Sequence, residues 1–281
     1  MNIPVFVVAP RLKETSEATK ITMISLAMTD IFIGILSVLR LSYFAISERY
    51  YIVKDYICVI DGIVQCVLGG VSATTIMYLC IDRVITIKYP LQYPIYFTKK
   101  VVTFIHVGIW FYVTLMLCLG HFVFGMEIGM MKYALFCSFI PKYQSLTTLV
   151  IIICVFVVPA SIIFSCALIL YHIVHQQIVQ IRALEVADAV ESGTQNLVSH
   201  LQAIKTIFLM VAAYYTCFTP AMVLIWIWSY MYGHSYSPTA EVVTAWFAFS
   251  CSLCNPLVYL PTMREYRETF KQIFIPNIFT T

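Results

Sequence analysis

The chain has 281 residues, of which 61% are hydrophobic and 11% charged, and its mean hydropathy is +0.87. About a quarter of the residues in a soluble globular domain are charged, so these values exclude one and place the chain in a membrane. Its net charge of +3, from 17 Lys and Arg against 14 Asp and Glu, gives neither the basic footprint of a nucleic-acid binder nor an acidic tail.

Residues 1–9, Met1-Asn2-Ile3-Pro4-Val5-Phe6-Val7-Val8-Ala9, read as the last turns of a first apolar helix that is mostly missing, and 10–20 as a cytoplasmic loop. No positively charged leader with an apolar core and a small-residue cleavage site is visible. Six apolar runs follow: Ile21–Leu39, interrupted only by Asp30, then Gly62–Ile81, Val101–Met126, Tyr143–Ile181, Thr206–Ala240 and Val242–Met263. Each is expected to be one helix, since about 20 residues at 1.5 Å rise cross the hydrocarbon, and the two longest must extend into water. The runs are apolar on all faces rather than at every second residue, which speaks against a β-barrel. The predicted helices are 21–46, 57–87, 101–125, 145–180, 199–230 and 239–261, with an outer loop at 126–144 and a surface helix at 263–275.

Orientation follows from basic residues in the loops. Arg11, Lys13, Lys20, Arg83, Lys88, Lys99, Lys100, Arg182, Lys205, Arg264, Arg267 and Lys271 fall on one side, against Arg49, Lys54, Lys132 and Lys142 on the other. The richer side is cytoplasmic.

Polar residues inside these runs need reasons. A carboxylate in hydrocarbon costs about 2.5–3.5 kcal/mol even on lenient scales. Asp30 should therefore face the bundle interior, either at a functional site or as a neutral, hydrogen-bonded acid. Arg83 either pairs with the adjacent Asp82 or serves as positive-inside anchoring. Pro220 removes a backbone bond and kinks the sixth helix beside Phe218, which reads as a toggle or as plain packing. Pro256 loosens the seventh helix between Asn255 and Tyr259. Residues 263–274 mix charged and apolar side chains at helical spacing, as an amphipathic helix on a membrane surface does. Most of the ten cysteines sit inside helices as small apolar packing, without metal-ligand spacing. There is no Asn-x-Ser/Thr acceptor and no cysteine after the surface helix.

Along the chain stand Asn2, Leu26-Ala27-Met28-Thr29-Asp30, Cys58, Asp82-Arg83-Val84, Pro90-Leu91, Trp110, Cys137, Pro159, Cys217-Phe218-Thr219-Pro220 and Asn255-Pro256-Leu257-Val258-Tyr259. With all of these in order and at compatible spacings, the chain resembles the rhodopsin-like (class A) G protein-coupled receptors over nearly its whole length. The resemblance implies an all-α polytopic bundle of the seven-transmembrane receptor type, with six full helices, the end of the first and an amphipathic eighth. It implies a plasma-membrane receptor that passes an extracellular signal, from a small molecule or peptide, to a heterotrimeric G protein by population shift. It also implies a Cys58–Cys137 bridge on the oxidising side, and a sodium or proton site at Asp30, Ser72, Ser252 and Asn255. The cytoplasmic switch and contact residues it implies are Asp82, Arg83, Leu91, Lys205 and Tyr259. No cofactor beyond the sodium ion is implied.

The ligand cavity is expected near Arg40, Asp61, Gln65, Ile151, Val155, Phe218, Met222, Ile225, Trp246 and Phe249. Gln65 stands where amine receptors place an aspartate, and Ile151, Ile152 and Val155 replace hydroxyls, which makes the cavity apolar and aromatic. Arg40 and Asp61 are expected to face one another, as an internal salt bridge or as ligand contacts. A free Arg40 would favour an acidic ligand, a free Asp61 a basic one.

The sequence departs from the family at several switch positions. Val84 replaces a tyrosine, Ala167 stands where many relatives place one, with Tyr171 a turn further on, and Ala73, Tyr214 and Phe218 replace other packing residues. These changes keep open a truncated or non-signalling receptor-like protein. A transporter would show internal helix repeats, and none is detected. An enzyme is disfavoured by the lack of a nucleophile motif, metal cluster or phosphate-cradling loop.

Overall fold

Hydrocarbon offers no partners for backbone N–H and C=O groups, so apolar runs of this length close their hydrogen bonds internally as helices. The computed structural model describes residues 2–47, 55–131, 133–140, 145–185, 192–233 and 237–275. Arg49, Lys54, Lys132 and Lys142 lie outside the described residues.

Helix α1 (Asn2–Val8) leads through a short 3-10 turn (Ala9–Arg11) to α2 (Glu17–Ser47) and α3 (Asp55–Lys88). The short α4 (Tyr93–Tyr96) precedes α5 (Lys99–Phe122), and an antiparallel hairpin follows, β1 (Glu127–Met131) and β2 (Phe136–Ile140). Helix α6 (Leu146–Ile151) passes through a π-helical stretch (Ile152–Val157) into α7 (Val158–Glu185). Helix α8 (Ser192–Ala221) continues through a second π-helical stretch (Met222–Trp228) into α9 (Ser229–Tyr232), and α10 (Pro238–Thr262) and α11 (Arg264–Phe274) complete the chain. Among the described residues, six helical segments are long and apolar enough to cross a membrane.

Local chemistry explains the irregular points. Pro159 has no N–H for the carbonyl of Val155, which falls inside the first π stretch. The run Thr206–Ala240 is not one helix, as its composition suggested. It ends at Tyr232, where Gly233 takes φ +75°, a left-handed conformation that costs glycine little. Ser237 then caps α10 by accepting the Ala240 N–H at 3.2 Å, with Pro238 at the first helical position. Glu241, the charge that seemed to separate two runs, lies inside α10.

Two apolar cores divide the bundle. One runs along α3 and α5, from Tyr78, Tyr93 and Val102 near the cytoplasmic end up through Val71 and Val113 to the widened fifth and sixth helices and Phe139 under the hairpin. The other joins α1, α2, α3, α7, α8 and α10 on the inner side, and Tyr266 of α11 is buried in it beside Tyr259, ring centroids 5.8 Å apart.

Candidate functional site

The hairpin roofs the outer half of the bundle, although the sequence pattern showed only a loop there. Cys58 at the head of α3 is disulfide-bonded to Cys137 in β2, and Asp61, one turn down, accepts the Cys137 N–H at 3.3 Å. From the opposite side, buried Glu241 accepts the N–H groups of Tyr133 and Ala134 at 3.0 and 3.2 Å. The hairpin turn is thus fastened to the third and the seventh spanning helices. Leu135 within it takes a left-handed φ of 59°.

Beneath the hairpin is a cavity of about 110 Å³. Gln65, Phe218, Met222, Ile225 and Phe249 line it, as their positions suggested, together with Phe136 and Ser138 of the hairpin and Trp226. Above it, Arg40 Nε lies 3.9 Å from Asp61 Oδ2, and the guanidinium sits 5.8 Å from the rings of both Phe136 and Phe249. These two charged residues face each other at the edge of the cavity rather than lining it.

Three expected lining residues lie elsewhere. Ile151 fills the notch at Gly120, and Val155 packs beside Val113 over Gly70, so both are used in helix packing. Trp246 lines a separate lateral groove between α2 and α10, because Ala245, Ala248 and Phe249 take the cavity-facing side of α10.

Phe218 links the two halves of the molecule. It lines the cavity, meets Phe156 at 5.9 Å and stacks on Tyr214 at 5.3 Å with 22° between the planes. One residue on from Tyr214, Tyr215 donates its hydroxyl hydrogen to the Ala160 carbonyl on α7.

In the inner half, buried Asp30 Oδ2 accepts from Asn255 Nδ2 at 2.9 Å. Asn2 donates to the Ser252 carbonyl at 2.8 Å, leaving its own buried Oδ1 without a hydrogen bond. Asn2, Asp30 and Ser252 border the lateral groove. Ser72 on α3 is half-buried and hydrogen-bonded to none of them. The donor set offers one carboxylate and neutral oxygens, which suits a small hard cation. Among the described residues, no cluster of three or more His, Cys, Asp or Glu could hold a metal ion.

At the cytoplasmic end, Asp82 is 1% exposed. It forms an ion pair with Arg83 at 3.3 Å and accepts from Tyr78 at 3.4 Å and from Tyr93 on α4. Burial, then the adjacent Asp82 carboxylate, push the Tyr93 phenol above its ordinary pKa and keep it a donor. Arg83 also donates to Thr19 of α2. Leu91 is 87% exposed and Lys205 is exposed, whereas Tyr259 is buried with its hydroxyl unpartnered. Leu91 and Lys205 can meet a partner directly, while Tyr259 can act only through repacking. Glu241, Tyr93 and Thr19 are the residues that sequence reasoning passed over. The lone carboxylate in an apolar run was the only signal for the first, and the tyrosine two residues after Leu91 for the second.

The chain matches the 7 transmembrane receptor (rhodopsin family) over residues 1–259. It is 25% identical over 280 residues to trace amine-associated receptor 5 of Mus musculus, covering 93% of this chain and 77% of that one. It is 23% identical over 276 residues to opsin-3 of Mus musculus, covering 97% and 66%. In fold it is similar to squid rhodopsin, whose crystal structure it matches with a TM-score of 0.82 at 18% identity, over 99% of this chain and 81% of that one.

Proposed function

Because this chain belongs to the rhodopsin family of seven-transmembrane receptors and is a multi-pass G protein-coupled receptor, we propose that it works at the plasma membrane, reading an extracellular ligand in the hairpin-roofed cavity. The cytoplasmic readout is exchange on a heterotrimeric G protein bound around Arg83, Leu91 and Lys205.

The observation that carries this reading is the position of Phe218. It touches the cavity on one side and Tyr214 of the inner core on the other. A ligand shifts a conformational equilibrium only by binding one state better than the other. Contact with the Phe218 ring gives it that differential grip, since rotation of the ring disturbs Tyr214 and, next to it, the Tyr215–Ala160 tie between the sixth and fifth helices. Downstream, Asp82 holds Arg83 at 3.3 Å in the resting arrangement, and loss of that pair frees the guanidinium for the partner.

Asp30 and the unpartnered Asn2 Oδ1 are suited to hold a sodium ion, which would balance the buried carboxylate when bound. Such an ion favours the arrangement in which Asn255 and Asp30 stay together.

The experiment is a G protein dissociation assay in cells expressing this chain or its Arg83→Ala variant at matched surface levels. Basal or ligand-driven signal that disappears with Arg83→Ala is the expected result. Good surface expression with no coupling to any G protein family, across a broad ligand panel, would overturn the signalling reading in favour of a non-signalling receptor.

A further inference from the structure

We propose that the cavity is built for a neutral ligand about the size of one aromatic ring, carrying a single hydrogen-bond acceptor that Gln65 holds. This rests on the reading of the cavity as the receptor's ligand site and specifies its chemistry. Gln65 is 7% exposed, lines the cavity, and its Nε2 has no hydrogen-bond partner. Leaving a buried donor unmet costs as much as a lost hydrogen bond, so an oxygen or nitrogen acceptor brought in by a ligand gains that term on binding.

Two other polar side chains of the cavity are paired with each other. Cys66 and Ser138 lie 3.6 Å apart and serve each other. Among the described residues, no Asp, Glu, Lys or Arg lines the cavity. The nearest carboxylates are engaged: Asp61 with Arg40 and the Cys137 N–H, Glu241 with the hairpin turn. An ammonium entering here would be stripped of water while Asp61 and Glu241 are held by other partners, and a carboxylate would meet one amide, the nearby Arg40 being paired with Asp61. A pure hydrocarbon would fit the walls and leave Gln65 unmet.

Size and walls set the rest. About 110 Å³ is of the order that admits a benzene-sized molecule. Phe136, Phe156, Phe218, Trp226 and Phe249 present aromatic faces and edges to whatever occupies it.

The test uses four compounds of nearly equal shape: acetophenone, isopropylbenzene, 1-phenylethylammonium and benzoate. Their binding to the purified full chain in lipid nanodiscs is read by saturation-transfer NMR against empty nanodiscs, without G protein. The Gln65→Met variant, which keeps volume and removes the amide, is measured beside it, and thermal unfolding checks that both are folded. The expected result is acetophenone bound about tenfold tighter than isopropylbenzene, the charged compounds weakest, and the tenfold preference lost in Gln65→Met. The proposal fails if a folded wild-type chain shows no preference for acetophenone, binds either ion more tightly, binds none of the four, or if the preference survives in Gln65→Met. Each of these leaves the receptor reading intact, because coupling is measured separately. A failure of coupling with the acetophenone preference present would sink only the signalling reading.

Discussion

Tyr93 of the short helix α4 donates its hydroxyl hydrogen to Asp82, the carboxylate that also pairs with Arg83. The loop after the third spanning helix therefore takes part in holding the arginine. Tyr93→Phe removes a buried hydrogen bond to a charged acceptor, worth about 1.5–3 kcal/mol. Basal G protein exchange is expected to rise several-fold at unchanged surface expression. Unchanged basal exchange would mean that Arg83 is held without help from α4.

Glu241 offers a sharper test of the roof. Glu241→Ala takes away the acceptor for two backbone N–H groups, a loss of about 3–6 kcal/mol at about 1.5–3 kcal/mol each, so local opening should become more than about a hundredfold more frequent. Hydrogen exchange of amides in 127–140 is the readout, with α5 amides as the internal control. Equal protection in the two proteins would show that the disulfide and Asp61 alone hold the hairpin.

For Asp30 the expected outcome concerns sodium. Basal signalling of the wild-type chain should fall as Na⁺ replaces a large organic cation in the medium of a permeabilised-cell assay. Asp30→Asn, which keeps the shape and hydrogen-bonding reach toward Asn255, should be indifferent to the exchange. A variant as sodium-sensitive as the parent would remove Asp30 from the site.

Much of this was legible in the residues. Apolar runs located the spanning helices because a helix is the only way for an isolated segment to satisfy its backbone in lipid. Glu241 misled for the same reason. A charge breaks a run on a hydropathy count, yet here it is buried inside a helix because two backbone donors from the hairpin meet it. The hairpin itself was missed because β1 and β2 carry no strict alternation, and β2 is buried at four successive positions, Phe136 to Phe139. At the outer end, Gln65, seven residues after Cys58, lies on the cavity wall. Spacing could not exclude Ile151 and Val155, which pack into the apolar core, Ile151 against Gly120 of α5 and Val155 beside Val113 over Gly70 of α3.

Glu265 carries a pH prediction. Burial pushes its carboxyl up, but the Thr15 hydroxyl and the N–H groups of Glu14 and Lys13 outweigh this and leave its pKa below the ordinary carboxylate value. A pKa lowered by folding contributes stability that is fully present above the unfolded value of about 4.3 and is lost as pH falls through the folded one. Docking of α11 on residues 13–15 should thus be constant from neutral pH to about pH 5 and weaken only in stronger acid. Exchange protection of the α11 amides against pH reads this directly. Glu265→Ala should be less protected at neutral pH and lack the acid step.

The bridge from Cys58 to Cys137, 79 residues apart, closes the third and fourth spanning helices and the cavity roof into one covalent ring. A cross-link over a span of this order removes about 4–5 kcal/mol of freedom from the disordered chain. When the bundle loosens, the roof cannot diffuse away from the head of the third helix, so its return is a short-range search. The covalent tether, rather than the long intervening stretch of chain, then sets the effective concentration at which the cavity is covered again.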